Sequence, residues 1–144
     1  VKGEPEEIPA CDLAVCEFLG ELELDAGDDA KLEAVKAAKR LEINEACNTA
    51  MAALAASYPE REIQSWPQQV KEAEALAADP QAAAPLLTAI ADARSLPVVE
   101  LASRVLEKMN AYAAASGALI GRRQAAEDLI DVAATPEDVA GIAW

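Results

Sequence analysis

The stretch Ser57-Tyr58-Pro59-Glu60-Arg61-Glu62-Ile63-Gln64-Ser65-Trp66-Pro67-Gln68-Gln69 sets two prolines and two large aromatics into a sequence otherwise dominated by alanine and other helix formers. Proline has no amide hydrogen to donate and restricts the residue before it, so it suits the first turn of a helix and disrupts the middle of one. Each proline therefore marks a place where a helix starts, and the whole segment reads as a corner between two helices. Tyr58 and Trp66 supply apolar faces that neighbouring alanines cannot, and both are expected to anchor that corner by packing.

The rest of the chain repeats this pattern of long permissive runs cut by prolines. From Ala30 to about Ser57 nothing breaks a helix, and Leu32, Val35, Ile43, Ala46, Ala50 and Leu54 form an apolar stripe, with Lys36, Lys39, Arg40, Glu42 and Glu45 largely outside it. A second helix is expected from Glu60 to about Ala78, with a possible interruption at Pro67. Asp79-Pro80 stops it, and a shorter helix follows over Gln81 to Arg94, unless Pro85 marks its first turn instead. Ser95-Leu96-Pro97 reads as a serine cap with proline near the start of a last long helix. Leu101, Val105, Met109, Tyr112, Leu119, Ala126 and Ile130 hold helical spacing along that helix. Thr135-Pro136-Glu137-Asp138 caps a final short turn of helix, and Trp144 is expected to dock. The fold class is mainly α: a small helical bundle with long first and last helices.

The N-terminal segment reads differently. Residues 1–29 hold ten of the 26 acids and only Lys2 as a base, so an acidic arm over residues 1–29 precedes a nearly balanced bundle domain over residues 30–144. Residues 1–10, with two prolines, suit an extended entry. Over Asp12 to Asp25 two readings stay open. Gly20 between short alternating runs suits a β-hairpin, and a short acidic helix fits nearly as well. Leu13, Val15, Phe18, Leu22 and Leu24 are the candidate partner-binding residues, since a free hairpin edge can add to a partner's sheet. Asp25-Ala26-Gly27-Asp28-Asp29 is read as a turn followed by a helix N-cap. It lacks the alternating ligands and terminal glutamate of a calcium-binding EF-hand loop. The chain begins at Val1 rather than Met, which suits a fragment or a start codon recorded as valine.

Net charge is −14 with no histidine, which argues against a nucleic-acid surface and removes the commonest general base and metal ligand. No glycine-rich phosphate loop, GxSxG or HExxH is present. The carboxylate groups Glu60 with Glu62, Glu72 with Glu74, and Glu127 with Asp128 and Asp131 are read as solvated helix faces, so a non-enzyme without cofactor or metal is expected. Cys11, Cys16 and Cys47 lack zinc or redox spacing and are read as reduced thiols. Arg122 and Arg123 are read as pairing with Glu127 or with acids of a neighbouring chain. No apolar run is long enough to span a membrane, and no secretory signal is visible. A core with so few large side chains favours a partner, and a homo-oligomer or obligate complex is expected.

Gly117-Ala118-Leu119-Ile120-Gly121 has small-xxx-small spacing, read as a site of close helix packing at Gly117 and Gly121, the alternative being a glycine-weakened helix with no special contact. Taken together, Lys39-Arg40-x-Glu42-Ile43-Asn44-x-Ala46-Cys47, the Tyr58 to Gln69 corner, and Ala115 to Gln124 resemble a helical domain of tailed bacteriophages and prophages. That domain lies at the C-terminal end of small tail-fibre or tail-fibre-assembly proteins. The likeness covers residues 36–131. It implies a chaperone-like protein that binds the trimeric phage tail fibre protein and assists its assembly. Such a protein is in the host cytoplasm during assembly and can remain in the virion tail. The resemblance brings no catalytic residues, and because fibres are homotrimers it favours a homotrimer of this chain. A purely structural tail or baseplate component is the alternative, and a small acidic enzyme is a distant third.

Overall fold

The computed structural model describes the backbone of residues 13–144 and the side chains of residues 27–144. Five helices follow one another: α1 (Leu13–Ala55), α2 (Glu60–Ala78), α3 (Pro85–Ala93), α4 (Val98–Val132) and α5 (Pro136–Ala140), with no strand among the described residues. The molecule is a mainly α bundle in which the first and fourth helices are long. Helix α4 is its axis, packing against α1, α2 and α3, while α5 folds back onto α1. The α1 and α4 helices run antiparallel: Arg40 meets Asp131, Asn44 meets Arg123, and Cys47 meets Leu119.

Two apolar clusters hold the bundle. Ala73 and Leu76 of α2, Ala84, Leu87 and Ala91 around α3, and Leu101, Ala102 and Val105 of α4 form one. Ile43 of α1, Ala126 and Ile130 of α4, and Ile142 beyond α5 form the other, with Trp144 packed against it. Full burial of side chains such as Ile43, Leu87, Ile130 and Val139 contributes about 1.5–3 kcal/mol each. Between the clusters, α1 and α4 pack as a pair around the buried Cys47 and Ser116.

The proline reading holds at both ends of α2. Pro59 is its N-cap residue and the helix ends at Ala78 with Asp79 as C-cap. Pro67, however, lies inside an uninterrupted helix. An interior proline costs about 3 kcal/mol, and the burial of its neighbour Trp66 is of similar size, so the corner tolerates it. Pro85 is the first-turn residue of α3, as the alternative reading had it. Gln81 lies instead in the preceding turn, its amide donating to Asp79 Oδ1 at 2.9 Å. Thr135 and Asp138 cap α5 reciprocally: Asp138 N donates to Thr135 Oγ1 and Thr135 N to Asp138 Oδ2, both at 3.1 Å.

Several local expectations need correction. Helix α1 passes through Asp25–Asp29 without a turn or an N-cap. One exposed glycine costs about 1 kcal/mol in a helix, too little to end it without a proline. The described backbone begins at Leu13 and is helical from there. The side chains of Leu13, Val15, Phe18, Leu22 and Leu24, on which the partner-binding reading rests, lie outside the described residues, as do residues 1–12.

Ser95 does not cap α4, whose N-cap residue is Pro97 with no side-chain bond. Ser95 instead has φ 55° and closes α3, with its own amide on Asp92 O at 3.2 Å and the Leu96 amide on Ala91 O at 2.9 Å. That is the pair of bonds by which a left-handed residue satisfies the last carbonyls of a helix.

Lys36, Lys39 and Arg40 are not outside the packed face. Lys36 is only 8% exposed and its Nζ donates to Asp131 O at 3.2 Å, while an Arg40 guanidinium nitrogen lies 2.6 Å from Asp131 Oδ1. The last carbonyls of α4 lack partners within the helix and carry partial negative charge, so they draw cations whose aliphatic stems can lie along the groove between the helices.

Gly117 and Gly121 also depart from expectation. Both are exposed, and a methyl group added at either would meet nothing within 4 Å, so among the described residues no helix packs closely there. With room for a side chain and ordinary helical backbone, Gly121→Ala is expected to raise stability by about 0.5–1 kcal/mol in urea denaturation. A loss of stability instead would show that the position is covered by another chain.

Candidate functional site

The corner builds a substantial concavity. Tyr58 follows the end of α1, Trp66 lies in α2 and Tyr112 in α4, and their rings meet edge to face: Tyr58 to Trp66 at 5.2 Å and 84°, Trp66 to Tyr112 at 5.3 Å and 75°. Such pairs contribute about 0.5–1.5 kcal/mol beyond area burial and fix ring orientation. The Lys108 ammonium sits 4.5 Å from the centre of the Tyr58 ring. Beside this ladder a groove of about 890 Å³ opens between α2 and α4, with a smaller recess of about 240 Å³ along its other side. Trp66, Leu101, Val105 and Met109 give it an apolar lining, and Arg94, Arg104 and Lys108 approach it along with Glu62 and Glu107. Arg104 is paired with Glu100, whereas Arg94 and Lys108 have no ion-pair partner among the described residues. Glu62 and Glu107 are equally without an ion-pair partner among the described residues, so the edge is of mixed charge around an apolar floor that can hold an apolar segment.

Tyr58 and Trp66 are thus brought together as the sequence suggested, but the groove also needs Tyr112 and Lys108 from α4 and Arg94 from the end of α3. No local pattern in the sequence links those residues to the corner.

Glu72 is the residue the sequence reading misplaced. It is 4% exposed, not part of a solvated face. One carboxylate oxygen accepts from Leu87 N at 2.8 Å; the other accepts from Leu86 N at 3.2 Å and from the Gln68 side-chain amide at 2.9 Å. Ala84, the N-cap residue of α3, has no side-chain acceptor to offer, so α2 caps α3 across space. Burial pushes the Glu72 carboxyl up, but donation from Leu87, Gln68 and Leu86, with the nearby Lys71 charge, outweighs it and holds the group below the usual glutamate value. A signal was present in the spacing. Glu72 is four residues before Leu76 and three after Gln69, on the side of α2 that turns toward the core.

At the other end of the bundle, Arg123 lies 2.6 Å from Glu127, and the Arg122 guanidinium stacks 4.7 Å from the Trp144 ring, which docks against the second cluster. Cys47 is a buried free thiol directed at Leu119 O at 3.9 Å. Among the described residues no group of three or more Cys, Asp or Glu is placed to hold a metal ion, and no helix is long and apolar enough to cross a membrane.

The fold and the groove define a small helical bundle built around an aromatic corner. A family profile described as the HI1402 helical domain matches residues 107–144, that is, the latter part of α4 together with α5 and the docked C-terminus. No curated protein and no solved structure matches the chain. The matched stretch contains the Arg122 and Trp144 stack, the reciprocal cap of α5, and Ala126, Ile130 and Ile142 of the second cluster.

Proposed function

We propose that this chain is a chaperone-like assembly protein that binds a trimeric phage tail fibre, acts as a homotrimer during assembly in the host cytoplasm and can stay on the virion tail. The observation that carries the reading is how the resembling stretches lie together. Arg40, Asn44 and Cys47 of the first stretch pack along α4 against Asp131, Arg123 and Leu119, while Tyr58 and Trp66 of the second meet Tyr112 just ahead of the third. Three separated segments with one likeness therefore pack along one helix, α4, as expected if the likeness reflects a shared architecture. Co-expression with the neighbouring fibre gene, followed by pull-down, is expected to recover a complex and to raise the soluble yield of the fibre. No complex, together with no effect of omission on fibre solubility, refutes the chaperone role. Fixed-copy presence in purified virions without any effect on fibre folding points instead to a purely structural tail component.

A further inference from the structure

We infer that the groove between α2 and α4 is an isologous contact, covered by the same groove of a second copy of the chain turned end for end. Such a contact goes beyond the proposed function, since it joins copies in pairs, whether they are single chains or homotrimers.

The order of charges along the groove points to it. Helix α2 runs antiparallel to α4, since Trp66 meets Tyr112 while Ala73 and Leu76 share a cluster with Leu101 and Ala102. Arg94 lies four residues before the start of α4 and so marks the end of the groove near Leu101. Glu62, one turn before Trp66 on α2, marks the end near Tyr112, and Glu107 and Lys108 line the stretch between. These four groups have no ion-pair partner among the described residues, whereas Arg104 is neutralised by Glu100. From the Leu101 end the unpaired charges therefore run plus, minus, plus, minus.

That order is complementary to itself only when reversed. A second groove laid alongside in the same direction sets like charges together. Turned end for end, it places Glu62 against Arg94 and Lys108 against Glu107, and the two-fold symmetry repeats both pairs. Neither pair is available within one chain. Leu101 and Tyr112 alone are about 16 Å apart along α4, which separates Arg94 from Glu62, and the adjacent Glu107 and Lys108 do not face each other on a helix.

The floor suits the same partner. Tyr58, Ile90 and Met109 are only half-buried, so each copy presents unfinished apolar surface inside its frame of charges. Met109 is unbranched and adapts to the uneven space between two such floors. The Lys108 ammonium, held over the Tyr58 ring, is kept at the groove rather than free to swing into solvent.

The test uses the full chain in sedimentation velocity at micromolar concentration. The wild type is expected to contain an even number of copies, and to associate less tightly as salt rises from about 50 to about 500 mM. Arg94 and Glu62 are both exposed, and circular dichroism checks that the variants keep the helix content of the wild type. Arg94→Glu alone, or Glu62→Arg alone, sets like charges together at both ends of the contact, so each is expected to weaken pairing at least about tenfold. An equimolar mixture of the two is expected to regain near wild-type affinity as a mixed pair, because one copy then carries only acids at these positions and the other only arginines. A wild-type dimer supports the contact and overturns the homotrimer, and a hexamer supports both. A trimer that does not pair overturns the contact alone, and a monomer overturns both. Variants that associate like the wild type, or folded variants that fail to recover on mixing, also overturn the contact.

Discussion

Replacing Glu72 by alanine is expected to lower stability by about 3 kcal/mol at neutral pH, which for a domain of this size corresponds to a fall in Tm of about 6–12 °C. The substitution leaves the Leu86 and Leu87 amides at the start of α3 without an acceptor, and the Ala84 side chain cannot replace it. Glu72→Gln keeps one acceptor oxygen and is expected to cost about half as much, since hydrogen bonds to a charged group are about twice as strong as neutral ones. The pH dependence has a definite sign. The folded carboxyl titrates below its ordinary value, so its stabilising contribution is fully present above the unfolded value and is lost as pH falls through the folded one. Urea denaturation at neutral pH and at about pH 3 should therefore show the gap between wild type and Glu72→Ala narrowing in acid. A gap of equal size at both pH values would rule out the charged cap.

Glu72 also marks where sequence reasoning reaches and where it stops. The ends of α2 and the cap of α5 were legible because Pro59, Asp79-Pro80 and Thr135-Pro136 act through their own backbone geometry, which needs no tertiary information. Ser95 sits in an equally local context and was still misread. A serine can cap the helix that follows it or adopt the left-handed turn that ends the helix before it, and the Leu96 amide on Ala91 O decided for the second. For Lys36 and Arg40 the sequence shows charges beside an apolar stripe, whereas the partner that draws them in, the end of α4, is some ninety residues away. Gly117 and Gly121 illustrate the converse. Their spacing permits close approach, but permission is no partner, and among the described residues nothing approaches. The groove was legible only in its aromatic half, since Tyr58 and Trp66 are neighbours in sequence whereas Arg94, Lys108 and Tyr112 arrive through the packing of α3 and α4.

The aromatic half is where the largest single loss is expected. Trp66→Ala should cost about 3–5 kcal/mol, read as a drop in the midpoint of urea denaturation with the slope unchanged. Trp66 is 9% exposed and makes both edge-to-face contacts of the ladder, so its removal opens a cavity that Tyr58 and Tyr112 cannot close without moving α1 and α4 toward each other. Those two helices are already fixed by Ile43, Ala126 and Ile130 at the other end, which limits collapse and pushes the cost toward the upper part of the range. Pairing Trp66→Ala with Tyr112→Leu in a double-mutant cycle should give a coupling of about 0.5–1.5 kcal/mol. A coupling near zero would mean that the 5.3 Å ring contact reflects shared burial and not a directional interaction. The interior Pro67 sharpens the expectation. A helix carrying a proline one residue after its main anchor depends on that anchor to hold its first turns in place, so loss of Trp66 should loosen the start of α2 as well as empty its site. Hydrogen exchange reads this directly: the amides of Ile63 to Trp66, Gln68 and Gln69 should lose protection in the variant by more than those around Leu76, where Glu72 and the first apolar cluster still hold the helix.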